Sequence, residues 1–123
     1  MQGGKQPSPE HPISVEPANA RIVVRLNGST VAESANALVL REAALPPVYY
    51  IPRAEIDMDA LSASDTQTHC PYKGDASYFS ARDGNAKDVA WSYEDPFDLV
   101  RMIKGYLAFY PNRVDSIETS PLA

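Results

Sequence analysis

The stretch R-I-V-V-R-L-N-G-S-T-V-A-E-S, Arg21 to Ser34, decides the fold class. Ile22, Val24 and Leu26 alternate with Arg21, Val23 and Arg25, the period of two that turns one side of a strand to a core. Asn27-Gly28 then supplies the residue pair that most readily takes positive φ, as a two-residue type I′ turn requires. A second β-prone run follows from Ser29 to Ser34, so the segment predicts an antiparallel hairpin. N-G-S also spells a glycosylation acceptor, but in a chain expected to be cytosolic the turn reading prevails.

Outward from the hairpin, A-L-V-L-R-E-A from Ala37 reads as a strand stopped by Pro46-Pro47, and V-Y-Y-I-P from Val48 is strongly β-prone. R-A-E-I-D-M-D-A-L-S-A-S-D lacks alternation and carries helix formers, which predicts one or two short helical turns and a loop. T-H-C-P-Y-K-G-D-A-S-Y-F-S, Thr68 to Ser80, reads as strand, turn, strand: Pro71 suits a type I turn over Cys70 to Lys73, and Gly74 suits the left-handed residue after it. A four-residue loop would set Cys70 opposite Asp75 and Thr68 opposite Ser77. Thr68, Cys70, Asp75, Ser77 and Phe79 would then share one face, with His69, Ala76 and Tyr78 on the other. K-D-V-A-W-S-Y is a further strand, and Asp95-Pro96 reads as N-cap and first residue of a helix from Phe97 to about Lys104, closed by Gly105. Y-L-A-F-Y, a P-N-R turn and V-D-S-I complete the sheet. Seven or eight short strands with closely spaced turns predict a mainly β, single-domain sandwich or barrel over residues 13–118, between a flexible tail at 1–12 and a short one at 119–123.

With 123 residues, 44% of them apolar and 22% charged, the chain can bury a core of its own. Eleven basic against sixteen acidic side chains leave a net charge of −5, which argues against nucleic acid and anionic membrane surfaces as partners. Arg101, Lys104 and Arg113 are dispersed among apolar residues and read as a solvated face. One cysteine excludes an internal disulfide framework and suits a reducing compartment. No apolar run is long enough to span a bilayer as a helix, and M-Q-G-G-K-Q-P-S-P-E-H-P has no apolar signal core. The expected location is the cytoplasm.

Signatures of nucleotide, hydrolase and calcium sites are absent, so no cofactor is expected. Cys70, His69 and His11 are too few and too scattered for structural zinc, and no metal is expected either. A strand sends His69 and Cys70 to opposite faces, which weakens a paired nucleophile and base. An Asp75 opposite Cys70 would disfavour the thiolate, so a buried unreactive thiol is the commoner outcome. The acidic run of Glu55, Asp57, Asp59 and Asp65 reads as a solvated loop. Lys73 beside the turn amides is the better candidate, since such a turn can hold an anion. Tyr49, Tyr50, Tyr72, Tyr78, Trp91, Tyr93, Tyr106 and Tyr110 are numerous enough to form a core and to line a polar cavity with Arg41, Glu42 and Lys73.

V-Y-Y-I-P-R-A-E-I-D-M-D-A-L, S-D-T-Q-T-H-C-P-Y-K-G-D-A-S-Y, A-W-S-Y-E-D-P and I-K-G-Y-L-A-F-Y-P-N-R-V-D occur in that order. Together these blocks resemble the family called domain of unknown function 427, small proteins common in bacteria, over roughly Ile22 to Val114. The resemblance implies a β-tent arrangement, in which antiparallel sheets meet at an angle around a groove. Some β-tent relatives hold zinc through paired cysteines, where this chain has C-P-Y-K. The family has also carried a nucleotidyltransferase-like label, but no carboxylate pair and glycine loop for that chemistry occur here. On these family grounds the resemblance points to Glu42 and, within the quoted blocks, to Cys70, Tyr72, Lys73, Gly74, Trp91 and Tyr93.

Two readings follow. In the first, Arg41, Glu42, Cys70, Tyr72, Lys73, Trp91 and Tyr93 are the candidate ligand-binding residues of a groove for a small anionic molecule. Lys73 would hold the anion, Glu42 would orient it or accept a proton, and Trp91 would stack; whether a reaction follows is left open, and no catalytic residue is assigned. This reading expects Lys73→Ala to keep stability and lose the ligand. In the second, the chain is a non-catalytic interaction or structural module, such as a homodimer paired through a sheet edge, and the motif only builds its turn.

Overall fold

The computed structural model describes residues 7–122. It is mainly β. Ten strands occur among the described residues: β1 (Ile13–Pro17), β2 (Ala20–Leu26), β3 (Ser29–Ser34), β4 (Leu38–Glu42), β5 (Val48–Tyr50), β6 (Leu61–Cys70), β7 (Gly74–Ala81), β8 (Ala90–Tyr93), β9 (Leu107–Phe109) and β10 (Ser116–Pro121). They form three antiparallel sheets, ordered β1-β4-β5, β10-β2-β3 and β6-β7-β8-β9.

The β2–β3 hairpin forms as its sequence dictates. Asn27 and Gly28 both take positive φ, 54° and 81°, and Ile22, Val24 and Leu26 are buried while Arg21 and Arg25 stay in water. β4 and β5 fall where expected. β1 adds a strand beyond the seven or eight counted, because Pro12 and Pro17 mask the Ile13/Val15 alternation; it lies on an edge, where proline interrupts no interior ladder. β10 continues to Pro121, beyond residue 118. Residues 1–6 of the expected tail lie outside the described residues, whereas Ser8 and His11 form a β-bridge.

No barrel closes among the described residues. The first and third sheets are joined by a single bridge, Ile51 to Leu107, and the ladder stops there because Arg53, the next residue that could bond across, already belongs to a 3₁₀ turn.

The 53–60 region forms two 3₁₀ turns, Arg53–Glu55 and Met58–Ala60, and β6 then begins at Leu61, inside the expected loop. The expected helix after Asp95 is a kinked 3₁₀ segment, Asp98–Ile103, broken at Val100 (φ −118°, ψ 28°). Phe97 takes the N-cap position and no side chain caps it. The Asp95 carboxylate accepts instead from Arg101, at 2.6 Å. Gly105, at φ 75°, ends the segment as expected.

The β6–β7 register differs from expectation by one residue. Cys70 pairs with Gly74, His69 with Asp75 and Thr68 with Ala76, so the loop has three residues. Gly74, at φ 115°, already belongs to the ladder, and the turn is held from outside by the Phe97 N–H donating to the Lys73 carbonyl at 2.9 Å. A one-residue slip exchanges the faces of a whole strand. Cys70 and Thr68 therefore share a face with Ala76 and Tyr78, and Asp75 stands beside His69 with 2.7 Å between Oδ1 and Nδ1. Asp75 is therefore not opposite Cys70, contrary to the expected pairing.

The core has two parts. Ile22, Val24, Leu61, Val89 and Leu107 anchor one; Leu40, Tyr50, Tyr78, Tyr93, Val100 and Ile103 anchor the other. The aromatic weight of the second part comes from tyrosines, whose hydroxyls must find polar partners.

Candidate functional site

Strand parity builds a cavity of about 190 Å³ between the first and third sheets. On β4, Leu40 and Glu42 point one way; on β5, Val48 and Tyr50 meet them, with Leu40 paired to Val48. From the other side, Tyr78 on β7 lies across from Trp91 on β8, Tyr93 follows Trp91 on the same face, and Tyr110 closes the row after β9. Leu45 and Pro46, in the β4–β5 loop, form the rim.

Lys73, from the β6–β7 turn, occupies the polar end at only 8% exposure. Its Nζ donates to Glu42 Oε1 at 2.5 Å, while His11 Nε2 lies 2.7 Å from Glu42 Oε2. The His11 ring stacks on Tyr72 with centroids 4.2 Å apart and planes at 10°. The turn therefore presents Lys73 inward and Tyr72 toward the imidazole that covers the carboxylate. Both Glu42 oxygens are engaged, whereas an ammonium carries three N–H donors and Glu42 takes one.

The phenols form their own chain. Thr68 Oγ1 and Tyr78 Oη are 2.9 Å apart, Tyr78 and Tyr110 hydroxyls 3.3 Å, and Trp91 Nε1 donates to the Tyr50 hydroxyl at 3.2 Å. Trp91 and Tyr110 are in ring contact at 4.4 Å.

Electrostatics sharpen this arrangement. Burial alone would raise the Glu42 carboxyl, but the hydrogen bonds and charges of Lys73 and His11 outweigh it and hold the group below its ordinary value. Burial raises the Tyr50 and Tyr93 phenols, and burial with the Tyr78 hydrogen bond pushes Tyr110 up to about 12. At neutral pH the walls thus carry protonated hydroxyls, and the end carries an ion pair.

Four sequence-nominated residues, Glu42, Lys73, Trp91 and Tyr93, line this one cavity. Arg41 leaves β4 on the face opposite Glu42 and is exposed, 3.9 Å from Glu16. Cys70 is half-buried against the second core cluster, and Tyr72 acts through His11; neither lines the cavity. Tyr50, Tyr78 and Tyr110 were legible only as members of an aromatic set. His11 was missed as a partner of Glu42: no spacing links residues 31 apart, and its proline-rich surroundings read as tail. Among the described residues, no group of three His, Cys, Asp or Glu side chains is placed to hold a metal, and no helix is long and apolar enough to cross a membrane.

A second, larger hollow of about 490 Å³ lies where the three sheets meet. Its lining is almost wholly apolar and shares Leu45, Pro46, Val48, Trp91 and Tyr110 with the polar cavity.

No curated protein matches the chain. A family model does, over residues 14–120, which span every strand but the first residue of β1 and the last of β10. Its match takes in β4 with Glu42, the Cys70–Gly74 turn and the Trp91–Tyr93 strand. The chain belongs to the family described as domain of unknown function 427.

Proposed function

We propose that the protein binds a small anionic molecule in the Lys73 cavity, with an oxygen of the ligand accepting from Lys73 Nζ and the ligand's body against Trp91 and the tyrosines. One observation carries this reading: an amine 8% exposed lines a cavity, and its counter-ion takes one of its three donors. An ion pair withdrawn from water contributes little net stability, and an apolar pair of the same shape often does as well. Protonated phenols around it add donors for the same oxygen. Glu42, held ionised and bonded on both oxygens, orients Lys73. The meeting of three sheets around the hollow accords with a β-tent, and the net charge and lone cysteine accord with a cytoplasmic protein.

The test is a thermal-shift panel of nucleotides, sugar phosphates and organic acids on the wild type and on the double variant Glu42→Gln/Lys73→Met, which removes both charges together. A compound should raise the wild-type melting temperature and leave the double variant unmoved. An equal response of both proteins, or none from the whole panel, would discard the Lys73 site and return the chain to a non-catalytic interaction module.

A further inference from the structure

The larger hollow takes no part in the Lys73 site, yet it adjoins the polar cavity and shares part of its lining. Leu45, 59% exposed on the β4–β5 loop, borders both hollows. So do Trp91 and Tyr110, which are in ring contact. Beyond this shared lining the larger hollow, an apolar trough, is bordered by Pro47 and Tyr49 and by Ile117 and Thr119 of β10. Of these adjoining hollows, one offers an ammonium and hydroxyls and the other almost wholly apolar surface. Such a division selects a molecule divided in the same way.

We infer that the ligand is a carboxylic acid with an alkyl or aryl body, its carboxylate at Lys73 and its body along the trough to β10. The inference rests on the Lys73 reading and names the class of ligand for it. A nucleotide or sugar phosphate would place polar groups against an apolar lining and lose their hydration without replacement. An alkyl or aryl chain gains with each carbon removed from water. Leu45 and Val48, facing the junction, would exchange water for that chain.

The experiment is calorimetric titration of straight-chain carboxylates, from propanoate to decanoate below their aggregation concentrations, with the matched primary amides. Against the wild type, affinity should rise about fourfold per added methylene until the trough fills. The amides should bind at least tenfold more weakly at each length. Thr119→Trp, at an exposed position that borders the trough and not the polar cavity, should flatten the length dependence and leave propanoate binding intact. Thr119→Arg provides a second obstruction should the tryptophan variant fold poorly. Short acids that bind with no gain from added methylenes would overturn the inference and leave the Lys73 site standing. A wild-type slope retained in both blocked variants, or amides as tight as acids, would overturn it as well. If no carboxylate of any length binds, the inference falls, and the Lys73 site is judged by its own panel.

Discussion

A single side chain, Glu42, joins the parts of the site. It sits between an amine from a turn 31 residues later in the chain and an imidazole 31 residues earlier. Because its folded carboxyl titrates below its ordinary value of 4.5, its contribution to stability is complete above that pH. It is lost as pH falls through the lower folded value. Glu42→Gln should therefore flatten the acid limb of a stability profile measured by urea denaturation from pH 7 to pH 3; a limb of unchanged steepness would refute the pairing. Lys73→Ala, which sequence reasoning treated as harmless to stability, should cost about 3 kcal/mol, because it leaves a largely buried carboxylate with only His11. The double variant Glu42→Gln/Lys73→Met should recover much of that loss. A cycle built with Glu42→Gln and Lys73→Met singly should show coupling of the two positions.

At the scale of elements, the β6–β7 turn carries the site. Its three-residue loop points Lys73 inward, and its first ladder residue is Gly74 at φ 115°. A Cβ there would lie 3.6 Å from Asp95 O, Pro96 Cα and Phe97 N, an ordinary contact, so the cost of a side chain is backbone strain rather than collision. Gly74→Ala should lower stability by about 1–2 kcal/mol, measured as a shift in the urea midpoint without change of slope. A neutral result would mean that the turn relaxes to another loop length. In the β2–β3 hairpin the turn chemistry and the alternation agree next to the turn, and a bulge at Val31 then shifts the register by one residue, with Val24 opposite Ala32. In β6–β7 the dipeptide Pro71-Tyr72 is compatible with two loop lengths. The choice is made by the segment from Asp95 to Phe97 packed against the turn, and Asp95, the expected helix cap, is engaged by Arg101 instead.

At the scale of the whole molecule, three open sheets share one interior, and Leu107 stands at their junction. It is wholly buried, pairs with Ser92 in the third sheet, and exchanges backbone hydrogen bonds of 2.8 and 3.0 Å with Ile51, beyond the end of the first. Leu107→Ala should cost about 2–5 kcal/mol through lost burial and the cavity left behind. Because that junction ties the sheets together, thermal unfolding followed by fluorescence and by far-ultraviolet dichroism should stay coincident while its midpoint falls. Separate transitions would mean that the sheets unfold independently.

The β class, the β2–β3 hairpin with its turn, strands β4 and β5, and the family were legible in the amino-acid sequence alone. These follow from alternation, turn residues and motif blocks read over a few neighbours. The family blocks, with the charged and aromatic side chains on neighbouring strands, also pointed to Glu42, Lys73, Trp91 and Tyr93, though to Arg41, Cys70 and Tyr72 as well, which do not line the cavity. Tertiary structure decided the rest. Arg41 was separated from Glu42 by strand parity once β4 had a buried face, and Tyr50, Tyr78 and Tyr110 were recruited when three sheets converged. His11 reached Glu42 because β1 pairs with β4 and delivers the segment before it to the end of that strand. Local sequence specifies which side chains a strand can present. Only the packing of one sheet against another selects which of them meet.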